Sequence, residues 1–204
     1  MPKGVHNSFR GPAWSPPAPV DADDCLALLV ARAALDADAG TCEAPRGSNR
    51  GASIAKFFAA DFYTPVGKDE GYPWCASAVS YWVQKWLTDN GPAGEVTRAL
   101  FGAIKPPRTA SAFGLIDWAR AQTNVQIISP GLLAGVTRAM PGDVAVFNFS
   151  HCGIVSVGAR DAGHFTCIEG NTDSLGSREG WQVARRLRGP ASIKALLRMI
   201  PRPL

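Results

Sequence analysis

A change of apolar periodicity part-way along the chain constrains its fold more than any other feature. Up to about residue 120 the apolar residues recur every three or four positions, and after Pro141-Gly142 they crowd into short runs rich in valine and phenylalanine, punctuated by glycine. The first spacing lays an apolar stripe along a helix, and the second belongs to strands. Helices followed by consecutive strands predict an α+β unit in which N-terminal helices pack on an antiparallel β-sheet. A chain of 204 residues suits one such domain.

Within this plan, residues 1–20 carry five prolines and are expected to form an extended arm, since Trp14-Ser-Pro-Pro-Ala-Pro19 can continue neither a helix nor a sheet ladder. Leu26, Leu29, Val30 and Ala33 then predict a helix capped by the run Asp21-Ala-Asp23-Asp24 and ending near Gly40. Ile54, Phe57, Phe58 and Phe62 mark a second helix entered through Gly47-Ser-Asn-Arg-Gly51. A third opens at Pro73-Trp74-Cys75 and buries Val79, Trp82, Val83, Trp86 and Leu87 before Asn90-Gly91-Pro92 stops it. Ser111 to Arg120 reads as a fourth, with Phe113 and Ile116 buried and Leu115 and Trp118 as further candidates. Strands are expected at Asp143–Phe149, His151–Val157, Phe165–Thr172 and Trp181–Leu187, the last with Trp181, Val183 and Leu187 on one face.

The net charge of +4 does not by itself mark a nucleic-acid binder, and no nucleic-acid partner is expected. From Arg185 onward there are six basic residues and no acidic one. This basic tail, with Arg185, Arg186 and Arg188, suits contact with an anionic envelope; a solvated strand and helix edge accounts for it equally well. The longest apolar stretch, Cys25 to Leu35, is too short to span a membrane and carries Arg32. It also follows acidic residues, which argues against a secretory signal, so the chain is expected to be made in the cytoplasm. Five cysteines leave at least one unpaired in a monomer, and in that compartment all five are expected to be reduced.

Thiolate chemistry needs a lowered cysteine pKa, which the first turn of a helix supplies through its dipole and free N–H groups. Cys75 is so placed. Cys25 lies near a helix start too, but Asp21, Asp23 and Asp24 oppose its ionisation; Cys42 falls in a loop, and Cys152 and Cys167 fall in strands. A buried structural cysteine is the alternative reading of Cys75. Its proton carrier would be His151 at a strand start, rather than His6 in the arm or His164 in a turn. Cys167, Glu169 and Asn171 share a face by alternation, so either Glu169 or Asn171 is placed to orient the imidazole if the two strands pair. By itself, a strand histidine is more simply a satisfied core residue. A zinc site from His151, Cys152, His164 and Cys167 lacks the usual spacing, and His151 and Cys152 should point to opposite faces; no metal and no cofactor are expected. Asp36-Ala-Asp38-Ala-Gly40 lacks the later carboxylates of a calcium loop and reads as a helix end.

Four blocks in order, Pro73-Trp74-Cys75-Ala76-Ser-Ala-Val79-Ser80-Tyr-Trp82, Pro141-Gly142-Asp143-Val144-Ala-Val146-Phe147, His151-Cys-Gly153-Ile154-Val155 and Ile168-Glu169-Gly170-Asn171-Thr172, resemble the CHAP domain. These are the cysteine, histidine-dependent amidohydrolases and peptidases of the papain-like, NlpC-related superfamily. The resemblance runs from about Gly47 to Arg188, and Cys152 and Ala78 depart from it where an apolar and a large aromatic residue are more usual. It implies a papain-like fold, a single catalytic domain over 21–204, Cys75 as nucleophile, His151 as general base and acid, and Glu169 or Asn171 as third residue. It further implies a peptidoglycan hydrolase cutting the N-acetylmuramoyl-L-alanine amide or a stem or cross-bridge peptide bond. The expected setting is a phage endolysin or virion-associated lysin acting on the wall after release by a holin, the virion or a secretion system. An antibacterial amidase toxin and a non-catalytic zinc or nucleic-acid binding module are the alternatives.

Overall fold

The computed structural model describes residues 21–61, 71–129, 138–159 and 163–202. The proline-rich arm and Phe62 lie outside them. Helix α1 (Ala22–Asp38) starts at Asp21, whose carboxylate accepts the Asp24 N–H at 2.9 Å, and it buries Cys25, Leu29 and Ala33 while Leu26 and Val30 flank that face. The second helix, α2 (Ala55–Phe58), is a single turn. Directly after it Asp61 turns inward to accept hydrogen bonds from Ser77 and Tyr72.

Helix α3 (Cys75–Leu87) begins where the proline start predicted, and its whole apolar stripe is buried. Three indoles lie in this core, Trp74 just before α3 and Trp82 and Trp86 within it, and each N–H finds an acceptor. Trp74 donates to Glu43 at 2.9 Å, Trp82 to Asp36 at 2.8 Å and Trp86 to the Cys25 carbonyl at 2.7 Å. Asp36 and Asp38 therefore close α1 rather than form a cation loop: Asp36 also accepts from Thr41 and Lys56, and Asp38 pairs with Arg185.

Helix α4 (Pro92–Phe101) was not anticipated; the proline read as a stop for α3 is also the first residue of the next helix. Helix α5 (Gly114–Arg120) is shorter than expected, burying Leu115 and Ile116 while Phe113 stays outside at 37% exposure.

Among the described residues six strands follow: β1 (Val125–Ile128), β2 (Val144–Phe147), β3 (His151–Val157), β4 (Phe165–Thr172), β5 (Gln182–Arg188) and β6 (Ile193–Met199). They make one antiparallel sheet in the order β1-β6-β2-β3-β4-β5. The architecture is α+β, as the periodicity predicted. Strand β1 was not foreseen, and β6 overturns the basic tail. Ile193, Ala195, Leu196, Leu197 and Met199 are buried, and this strand sits between β1 and β2. On β5 Val183 is buried, but Leu187 is 67% exposed.

One side of the sheet packs Val146, Cys152, Ile154 and Ile168 against the helices; the other gathers Phe147, Val155, Phe165, Cys167 and Leu196 into a second core. No helix among the described residues is long and apolar enough to cross a membrane.

Candidate active site

Cys75 is the first residue of α3, where the N–H groups of a helix lack intrahelical partners. Trp74 holds that start in place: its ring stacks on Phe57 with centroids 5.3 Å apart, and its backbone N–H donates to Asn171 Oδ1 at 2.7 Å. At Gly170, a Cβ would lie 2.7 Å from the Trp74 ring and 2.8 Å from the Ala78 Cβ, so glycine and the small Ala78 together let β4 press against α3.

His151 opens β3 straight after Ser150, whose φ of 61° completes the turn from β2. The imidazole is fully buried and stacks on Phe147 and Phe149, at centroid distances of 6.2 and 5.9 Å. Its Nε2 stands 3.0 Å from Glu169 Oε2, and the ring also meets the Cys75 sulfur. These are close charge contacts without in-line hydrogen-bond geometry, as is common in a resting site. Glu169 can lie across the neighbouring strand because Gly153 has no side chain; a Cβ there would be 2.7 Å from Glu169 Cγ.

Electrostatics follow from these neighbours. The Cys75 thiol is held well below its usual value: Cys152 donates to it, and His151 adds its charge, together outweighing burial. Burial alone would lower the His151 pKa, but the Cys75 charge, and then Glu169, push it up to about 9. Burial and the Cys75 charge push the Cys152 thiol well up, so of this coupled pair Cys75 carries the negative charge. Its place at a helix start gives the same answer, since Cys152 lies within a strand. Burial raises Glu169, yet Arg188, and next His151, hold its carboxyl below the usual range. These shifts favour a thiolate at Cys75 beside an imidazolium at His151.

The residues singled out in the sequence do not all converge. Cys75, His151 and Glu169 come together, whereas Asn171 is spent on Trp74 and on the Gly180 carbonyl, to which its Nδ2 donates. His151 and Cys152 both meet Cys75 although strand neighbours should diverge, because α3 abuts the very start of β3. His164 is exposed, and among the described residues no group of three His, Cys, Asp or Glu is arranged to hold a metal ion.

Arg188 was expected on the surface and is instead turned inward, donating from Nε and Nη2 to the two Glu169 oxygens at 2.7 and 2.5 Å. Arg185 is paired with Asp38 and Arg186 buries its Nε, so the three do not form a free cationic strip. Sequence reasoning missed Arg188 because nothing local to β5 marks its partner.

Cys75 opens into a cleft of about 350 Å³ lined by Tyr72, Pro73, Ser111, Ser150 and Arg178 among others. Among the described residues Arg178 is the charged one that lines it, carried on a loop that Asp173 braces by accepting the N–H groups of Leu175 and Ser177. The site can thus present a thiolate to a substrate and pass its proton to a leaving group. No protein-family model, curated protein or solved structure matches the chain.

Proposed function

We propose that this protein is a cysteine amidohydrolase of the CHAP type, with a papain-like fold, that cleaves an amide bond in bacterial peptidoglycan. The observation that carries the reading is Cys75 at the start of α3 beside His151, with Glu169 3.0 Å from the imidazole Nε2, at a cleft.

In this reaction the Cys75 thiolate attacks the amide carbonyl, and free N–H groups of the first helical turn, that of Cys75 included, hold the oxyanion. His151, protonated at neutral pH, gives its proton to the leaving amine. It then takes one from the water that hydrolyses the thioester. Glu169 keeps the imidazolium charged and oriented. Arg178, which donates from Nη2 to Glu179 at 2.8 Å, still brings a guanidinium to the cleft rim that suits the carboxylates of a stem peptide, which favours the wall as substrate. The proposed setting is a lysin of phage or virion origin.

Incubation of purified sacculi with wild type and Cys75→Ala, with released fragments read by mass spectrometry, tests the proposal. New amine and carboxyl ends from wild type alone are expected, and their identity assigns the bond. A fully active Cys75→Ala protein refutes the mechanism, and no release across several wall types refutes the substrate.

A further inference from the structure

We infer that Arg188 is a positioning residue for this reaction, fixing the Glu169 carboxylate against the imidazole by holding both of its oxygens. The inference rests on the cysteine-hydrolase reading above and deepens it. Glu169 is fully buried, and a carboxylate removed from water with no cation beside it takes up a proton instead. A protonated Glu169 would give His151 no counter-charge. Arg188 answers this with a fork, Nε to Oε1 and Nη2 to Oε2, and Oε2 is the oxygen that also faces His151.

The guanidinium is itself fixed. Its Nη2 donates to the Gly176 carbonyl at 3.2 Å, and its carbon lies 5.1 Å from the centres of both Phe147 and Phe149, the rings on which the imidazole stacks. Arg188, Glu169, His151 and Cys75 then alternate in charge from β5 through β4 and β3 to α3. Among the described residues the other titratable groups around them are Cys152 on β3 and Cys167 on β4, whose thiols burial pushes well up, Asp143 before β2, and Tyr72 and Arg178 on the cleft into which Cys75 opens. Asp143 is engaged elsewhere, by Arg198 at 2.7 and 2.9 Å and by the Met140 N–H. Among the described residues Arg188 is the cation bonded to Glu169.

The test is the pH dependence of Cys75 alkylation by iodoacetamide, read by mass spectrometry in a Cys42→Ser background that removes the half-buried second thiol. Arg188→Gln is expected to raise the midpoint by about 1 unit or more and Arg188→Lys to recover part of the shift. Release from sacculi by Arg188→Gln should fall about 10-fold or more. Glu169→Gln and Glu169→Gln/Arg188→Met should share one midpoint, because Arg188 acts through Glu169; the double variant leaves no unpaired buried charge and so reports even if Arg188→Gln fails to fold. An unshifted Arg188→Gln midpoint, or a double variant shifted beyond Glu169→Gln, overturns the inference alone. A wild-type midpoint at the ordinary thiol value overturns the hydrolase reading with it.

Discussion

Asn171 makes two hydrogen bonds that join three parts of the site, and its removal tests the scaffold apart from the ionisation of Cys75. Its Oδ1 accepts the Trp74 N–H at the start of α3, and its Nδ2 donates to Gly180 at the end of the Arg178 loop. Both contacts are buried. Replacement leaves the Trp74 N–H without a partner in the core, which costs about 1–3 kcal/mol. Asn171 also holds φ at 55°, in the left-handed region that asparagine tolerates and alanine does not, and the misfit adds about 1 kcal/mol for Asn171→Ala. Asn171→Gly escapes the second cost. Urea denaturation followed by tryptophan fluorescence should therefore rank wild type above Asn171→Gly and Asn171→Gly above Asn171→Ala. The pH midpoint of Cys75 alkylation should stay that of wild type in both variants, since Asn171 does not touch His151. A shifted midpoint, or an alanine variant no less stable than the glycine variant, would refute this assignment.

The pH dependence of stability carries a second signature. The raised His151 pKa contributes stability that is fully present below about 6.5 and lost as the pH rises through about 9. The lowered Cys75 pKa contributes stability that is present above 9.0 and lost as the pH falls through its folded value. Above 6.5, from the folded Cys75 value up to 9.0, the two changes offset, because folded and unfolded pairs each hold one proton, so urea midpoints from this site should be level just below 9.0; a slope of one proton there would contradict the ion pair. In the core, Gly170→Ala drives a methyl into the Trp74 ring and Ala78 and should cost about 1–3 kcal/mol in the same denaturation assay. An unchanged midpoint would mean that β4 does not press on α3 as described.

Much of this site was legible because its strongest signals are local. The α3 stripe, the helix start at Cys75 and the bounds of β3 and β4 follow from periodicity and punctuation. Elements whose signals compete are not legible: in β6 Lys194 and Arg198 interrupt a run of residues buried on both faces, and in α4 a proline that reads as a helix stop begins another helix. Glu169 and Asn171 could not be separated because strict alternation puts both on one face. The pairing of β4 with β5 slips between Glu169 and Thr172, with Asn171 at positive φ, and this irregularity turns the two side chains to different tasks. Arg188 was illegible for another reason: its meaning lies in a residue 19 positions away.

That separation also explains why the relay needs this sheet. Arg188 stands opposite Phe165, whereas Glu169 stands opposite Ala184, so the guanidinium reaches its partner by running along the face shared with Cys167. Two long side chains span an offset that a hydrogen-bonded neighbour pair would not have. Burying any one of the four charges alone would cost several kcal/mol, and each is offset by the next one in line. The thiolate at α3 therefore depends on strand pairing two strands away. The register of β3, β4 and β5, which the core on both faces of the sheet holds fixed, sets where Arg188, Glu169 and His151 meet beside Cys75.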